Sequence, residues 1–329
     1  MPNKSYLTDI AVALIFFNRP DCLRATFSAI AQSRPSTLFL IQDGAREERE
    51  DDRINIQKCR DIVKNIDWDC TVYTDYSDTN LGCGMRVYSG INKAFQIVDK
   101  IAIIEDDIVI SPDFLPFCKT MLDHYEYDER IGMISGMNHI GTYKECPYSY
   151  FFSSQGGAIW GWATWKRVWE QMEWDLSCYN DKYALKIFPL TVRPISDGNA
   201  LIKILKEKYS SYLKKKKQTS WSFQFGFTSC YLQSRLNIIP VCNLIQNIGF
   251  SGDSVHSSGA IYYVPRGLRC VYSAPTYPLS VPYKHPRYVI NDLYYAKMQR
   301  KIMGGGVIRH FSRRIETLLY RIFPFLGKL

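Results

Sequence analysis

The chain of 329 residues is 46% hydrophobic and carries a formal charge of +9, with 41 Lys and Arg against 32 Asp and Glu. That length and apolar content exclude a chain too short or too polar to fold, and allow one large α/β domain or two closely joined ones. The positive charge implies an anionic partner, for which nucleic acid, a phosphorylated small molecule and an anionic membrane all qualify.

The ten cysteines are scattered with no C-x-x-C pair, and several sit in apolar runs, as expected of a reduced cytosolic protein. The apolar run over residues 10–17 is too short for a membrane span and has no small-residue cleavage site after it. It reads as a first strand rather than a signal peptide. Pro20 suits a first helical position and Asp21 places charge in the first turn, so a helix is expected over 20–31 with Leu23, Phe27 and Ile30 inward. A strand over 37–41 then stops at Gln42-Asp43-Gly44. A helix over 47–66 leads to a third strand near 70–74.

This strand and helix alternation implies a parallel sheet with right-handed crossovers, the mononucleotide-binding half of a doubly wound fold. At the strand ends, Asp43 is either a hydrogen-bond acceptor for a base or ribose or a turn-forming Asp-Gly. Arg19 either faces a diphosphate or is solvated. Asn80-Leu81-Gly82-Cys83-Gly84 turns into a helix over 85–98, and its two glycines, helix N-terminus and Arg86 offer a place for phosphate oxygens. The full dinucleotide fingerprint and the lysine-containing phosphate loop are both missing, which argues against NAD enzymes and ordinary NTPases.

Residues 101–108 form a continuous apolar run ending in Glu105-Asp106-Asp107, as in a central parallel strand covered on both faces. Strand alternation would send Glu105 and Asp107 one way and Asp106 the other, where a parallel sheet opens a crevice. Three adjacent carboxylates are either a wet acidic turn or a site for Mg²⁺ or Mn²⁺, hard ions that bridge carboxylates to substrate phosphates. Ser111-Pro112-Asp113-Phe114 then looks like an N-cap with proline at the first helical position, starting a helix that buries Phe114, Phe117, Met121 and Leu122.

From residue 147 aromatics crowd together: Tyr148, Tyr150, Phe151, Phe152, Trp160, Trp162, Trp165, Trp169 and Trp174, with Gly156, Gly157 and Gly161 among them. Such rings either stack on sugar faces or fill a core. The run Lys214-Lys215-Lys216-Lys217 is a solvated loop or a contact for anionic lipid or nucleic acid. A helix is expected over 221–232, a strand over 237–242, and a Gly/Ser-rich loop over 247–259 holding Asp253 and His256. If that loop folds over the acidic strand, His256 becomes a second metal ligand or a diphosphate contact. Near the C-terminus come a helix over 290–303, a Gly304-Gly305-Gly306 break and a basic amphipathic stretch through Lys328. There Ile308, Phe311, Ile315, Leu318, Leu319 and Ile322 recur at helical spacing, with Arg309, Arg313, Arg314 and Arg321 mostly elsewhere on the wheel. The pattern suits a helix lying on an anionic membrane, or one docked on the protein's own core.

Taken together, Phe17-Asn18-Arg19-Pro20, Gln42-Asp43-Gly44, Asn80-Leu81-Gly82, Glu105-Asp106-Asp107 with Ser111-Pro112-Asp113-Phe114, Gly161-Trp162 and Asn247-Ile248-Gly249-Phe250 resemble a GT-A nucleotide-sugar glycosyltransferase. The likeness covers roughly residues 8–260. It points to bacterial capsule and O-antigen transferases, themselves similar to the N-acetylglucosaminyltransferase I family. The resemblance implies a Rossmann-like, mostly parallel sheet flanked by helices, with a C-terminal helical extension. It divides the chain into a nucleotide-sugar half (1–145), an acceptor half (146–270) and the extension (271–329).

By the same resemblance Asp107 binds the metal, Asp106 contacts ribose or diphosphate, and Glu105 lies near the donor sugar. Arg19, Asp43 and Arg86 fall at nucleotide positions, and Gly161-Trp162 belongs to the nucleotide-sugar site. A hexosyl transfer with inversion needs a carboxylate base near the acceptor hydroxyl. Relatives place an aspartate directly after the tryptophan, where this chain has Ser222. Either a neighbouring acid such as Asp253, Asp175 or Asp181 substitutes, or the base lies in another segment, or the mechanism differs, and the stereochemical outcome stays open. The expected activity is metal-dependent transfer from a UDP-sugar to a saccharide or polyprenyl-diphosphate-linked acceptor in surface polysaccharide synthesis, at the inner face of the cytoplasmic membrane. A sugar nucleotidyltransferase and a non-catalytic nucleotide- or sugar-binding protein are the alternatives. Nucleic acid is not an expected partner, because the basic residues are dispersed and no reading module appears.

Overall fold

The first apolar run becomes β1 (Thr8–Phe16), in which Val12, Ala13 and Leu14 lose all contact with solvent because both faces of the strand are covered. The computed structural model describes residues 4–155, 157–215, 220–249, 264–272, 274–303 and 307–323. Pro20 opens α1 (Pro20–Ser33), which buries Leu23, Phe27 and Ile30 and closes on Arg34 in a left-handed conformation. Then come β2 (Pro35–Gln42), α2 (Glu50–Val63), β3 (Thr71–Tyr76), α3 (Cys83–Ala94) and β4 (Lys100–Glu105). These four strands lie in the order β3-β2-β1-β4, all parallel.

Beyond β4 the chain departs from the simple alternation. The expected strand over 101–108 is broken: β4 stops at Glu105, Asp106 and Asp107 turn, and β5 (Ile108–Ile110) starts a separate small ladder. The expected cap at Ser111 is also displaced. Helix α4 (Phe114–His124) starts after Asp113, whose carboxylate accepts the Leu279 N–H (3.0 Å) instead of capping the helix. Phe114, Phe117, Met121 and Leu122 are buried as expected.

The next strands, β6 (Ile131–Ser135), β7 (Tyr150–Ser153) and β8 (Trp162–Trp165), carry most of the aromatic cluster into the sheet. Strand β8 runs antiparallel between β4 and β6, and β9 (Leu236–Pro240) and β7 complete an eight-stranded sheet ordered β3-β2-β1-β4-β8-β6-β9-β7. A short β10 (Ile245–Asn247) pairs with β5. Tyr150, Phe151, Phe152, Trp162, Trp165 and Trp169 are therefore core material rather than sugar platforms, whereas Tyr148 remains exposed.

The helix expected over 221–232 starts with one α-turn (Ser222–Gln224) and widens into a π-helix (Phe225–Tyr231), where the Thr228 hydroxyl bonds back to the Gln224 carbonyl (2.7 Å). A helical hairpin (Lys182–Thr191 and Ile195–Lys215) builds a second core of Phe188, Val192 and Leu205 on Phe227. Three more helices follow: Arg266–Tyr272, Leu293–Met303 and Val307–Ile322. The mostly parallel sheet, its flanking helices and the helical C-terminus form the Rossmann-like architecture expected of a GT-A domain. No described helix is long and apolar enough to cross a membrane.

Candidate active site at the strand ends

Four parallel strands release their chains at one edge of the sheet. Phe16 lies opposite Gln42, Gln42 opposite Tyr76, and Ile15 opposite Glu105, so the residues just beyond them converge. Strand β8 enters from the same edge, with Trp162 opposite Ile103, which brings Gly161 beside the end of β4.

Asp106 and Asp107 share one cation there. The Arg19 guanidinium donates Nη2 to Asp106 Oδ1 and Nη1 to Asp107 Oδ2 (3.0 Å). The expected strand alternation therefore fails at Asp107: once β4 ends at Glu105, both aspartates sit in the turn and face the same arginine. Asp106 also accepts the Phe17 N–H (3.2 Å), and its carbonyl accepts the Thr26 hydroxyl (2.9 Å). The Asp107 carbonyl takes the Ile248 N–H (2.9 Å), which draws the 247–249 segment over it. Gly249 is needed at that crossing, since a Cβ would collide with the Asp107 carboxylate.

Burial raises the Asp106 carboxyl above its ordinary range, with the Arg19 charge pulling the other way. Burial opposes the charge on Arg19, but Asp106 and Asp107 outweigh it and hold the guanidinium charged. Glu105 is half-buried, and its carboxyl has no hydrogen-bond partner among the described residues. Burial first, and then the charges of Asp107 and Asp106, push its pKa up to about 8, so it keeps its proton at neutral pH.

No group of three His, Cys, Asp or Glu side chains suited to a metal occurs among the described residues. Two-carboxylate chemistry does fit a hard divalent ion that completes its shell with substrate phosphates. The Asp107 side chain keeps 14% of its surface exposed, and its Oδ1 accepts no hydrogen bond among the described residues.

Asp43 and the glycine turn, read separately in the sequence, form one structure. The Asp43 carboxylate receives the N–H groups of Gly44 (3.0 Å), Leu81 (2.9 Å) and Gly82 (2.9 Å), so the protein's own anion sits at the N-terminus of α3. Burial raises its pKa, and those three N–H groups counteract the rise. Gly82 caps the helix at φ +77, a conformation that favours glycine. Arg86 points into the protein rather than toward a phosphate. It is 3% exposed, and its Nε donates to the Gln42 carbonyl (3.1 Å) and its Nη2 to Asp75 (2.6 Å), so it braces β2 against β3.

Gly161 adopts φ +59, and a Cβ there would press on Ile245 and Ile108. Trp162 stacks on Trp221 (5.5 Å), which brings Ser222 near the entry of β8. The Ser222 hydroxyl lies 3.2 Å from that of Ser220. Asp181 caps its helix by accepting the Ala184 N–H (2.9 Å), and Asp175 accepts the Ser177 N–H (3.0 Å). Asp253 and His256 lie outside the described residues.

Sequence reasoning passed over Asp52, which is wholly buried and bonded to Asn18 Nδ2 (2.6 Å) and to Arg46 Nε (2.6 Å). Inside a charged helix it reads as solvated, and no pattern in the sequence betrays its partners. It anchors the turn after β1 that carries Arg19.

No protein-family model and no curated protein matches the chain. Among solved structures it is similar to UDP-glucose pyrophosphorylase complexed with UDP-glucose, at 10% identity over 71% of this chain and 91% of that one, with a TM-score of 0.32. It is also similar to an apo UDP-glucose pyrophosphorylase, at 9% identity over 73% and 93%, with a TM-score of 0.36. Likeness this distant carries no argument about chemistry.

Proposed function

We propose that the chain is a glycosyltransferase that moves a sugar from a nucleoside diphosphate donor, most simply a UDP-sugar, to a saccharide or lipid-linked acceptor. The observation that carries this reading is the Asp106–Arg19–Asp107 cluster where the central strand ends, at the edge where an open parallel sheet binds ligands. Departure of a nucleoside diphosphate concentrates negative charge on its phosphates, and a fixed cation at that point lowers the barrier. Because Arg19 is paired with both aspartates, the added positive charge and the Lewis acidity would come from a Mn²⁺ or Mg²⁺ held by Asp107, with Arg19 fixing the two carboxylates in place. The base for the acceptor hydroxyl is not Ser222, whose hydroxyl is too weak a base. Asp253, Asp175 and Asp181 are the carboxylate candidates, and His256 a candidate second ligand.

Nucleotidyl transfer is the second reading. It is favoured by the position of Arg19 in the β1–α1 turn, where a leaving pyrophosphate would also need a cation; the lack of a glycine-rich phosphate loop after β1 counts against it. Two assays, each with and without Mn²⁺, separate them: a UDP-sugar panel, from which glycosyl transfer or hydrolysis releases UDP, and UTP with sugar 1-phosphates, from which nucleotidyl transfer releases pyrophosphate. Asp107→Ala is expected to lower turnover by about a hundredfold or more and to abolish metal-dependent UDP binding, while the chain still folds and melts cooperatively. Turnover retained in that variant would remove the assignment of Asp107.

A further inference from the structure

The helix Val307–Ile322 docks on the protein by its polar side and turns its apolar side outward. Glu316 Oε1 accepts the Arg266 N–H (3.0 Å) and the Tyr320 hydroxyl (2.6 Å). Tyr320 is only 6% exposed and lies 5.4 Å from the Arg269 guanidinium. Arg313 donates to the Ile302 carbonyl (2.5 Å), passing over Gly267, where a Cβ would stand 3.2 Å from Nη2. Arg313, Glu316 and Tyr320 recur at helical spacing and mark the inner face. On the other face Ile315 (43%), Leu318 (57%), Leu319 (41%) and Ile322 (57%) are exposed, again at helical spacing. A helix stabilised by its own core would show the reverse.

We propose that this outer face is a docking surface for an anionic lipid bilayer, with the helix lying flat at the headgroup boundary. The choice of partner rests on charge. Besides the inward-facing Arg313 and Glu316, the helix sequence holds Arg309, Arg314 and Arg321 and no further acid, in a chain of net charge +9. An apolar stripe within an arginine-rich helix matches the apolar interior and acidic surface of such a membrane. Four partly exposed side chains do not supply the roughly 800 Å² per partner of a stable dimer, which argues against a second copy as occupant. The helix bears on the site through Arg266–Tyr272, since Tyr272 packs on Trp160 (5.1 Å), next to Gly161. Bilayer contact therefore brings the strand-end edge near the membrane. The inference does not depend on the reaction proposed above.

The test is flotation of the full chain with vesicles of phosphatidylcholine alone and of phosphatidylcholine mixed with phosphatidylglycerol, at low and high salt. The wild-type chain is expected to float with the mixed vesicles, about tenfold less with neutral ones or at high salt. Leu318→Asp with Ile322→Asp alters only exposed positions and should reduce binding on the order of tenfold per side chain, with an unchanged melting curve, whereas Leu318→Phe should retain binding. A wild-type chain that stays free of mixed vesicles, or a double variant that floats as well as wild type, overturns the proposal. A wild-type dimer in light scattering that the double variant converts to monomer assigns the face to a second copy and overturns it as well.

Discussion

Arg19 stands between two carboxylates, and its value to the fold depends on both. Asp106 is 3% exposed, so its charge has given up water and is repaid by the guanidinium and the Phe17 N–H. Removing the cation strands two acids at a buried strand end, whereas removing one acid as well leaves a smaller debt. Arg19→Met is therefore expected to destabilise the protein by about 3 kcal/mol in denaturant melts, and Arg19→Met with Asp106→Asn to recover part of that loss. Additive losses would mean that the pair is not coupled. Asp43 follows the same principle with neutral donors: three N–H groups hold its charge, which is why an Asp-Gly pair carries structure here beyond its own turn.

At the scale of elements, packing decides a sign that propensity alone would get wrong. Gly90 lies inside α3, where replacement by alanine ordinarily gains about 1 kcal/mol. Here an added Cβ would stand 2.5 Å from Ile41 Cγ2 on β2, so the helix sits flush on the sheet because this residue has no side chain. Overpacking of that kind costs about 1–3 kcal/mol and outweighs the helical gain. Gly90→Ala should lower the melting temperature, and a raised one would refute the contact. The first half of the fold was legible because Pro20, Gly44 and the glycines at 82 and 84 punctuate continuous apolar runs, so periodicity and turn chemistry agree. Past β4 that agreement ends. Strands β6, β7 and β8 are four or five residues long, β7 and β8 are rich in aromatics that suit a core or a binding face equally well, and the antiparallel insertion of β8 is a long-range pairing with no local signal. In the site, the acids and Arg19 were visible as residue types. That one guanidinium spans both aspartates, and that Arg86 turns inward, depends on where β4 and β3 end.

Across the whole molecule, the C-terminal segment is tied to the far end of the sheet. Tyr295, fully buried on the helix Leu293–Met303, packs with Tyr143, Phe151 and Ile239, and its hydroxyl accepts the His139 N–H (3.1 Å). From the same helix, Gln299 Nε2 approaches the His139 ring nitrogen Nδ1 (3.3 Å). Desolvation at this junction lowers the His139 pKa to about 4 from the ordinary 6.5, so the imidazole is neutral in the folded protein at every pH above that value. The consequence for stability has a definite sign. Above pH 6.5 the ring is neutral in both folded and unfolded chains and contributes no pH dependence. Below it the unfolded chain takes up a proton that the folded one refuses, and stability falls with pH until the folded form also titrates near pH 4. At 1.36 kcal/mol per unit the loss across that window is about 3 kcal/mol. Denaturant melts between pH 7 and pH 4 should show this decline, and His139→Gln should flatten it by that amount. An equally steep decline in the variant would mean that the linkage resides elsewhere. Because His139 joins the sheet to the C-terminal helices, hydrogen exchange at pH 5 should show the Leu293–Met303 amides losing protection before those of β1 and β4.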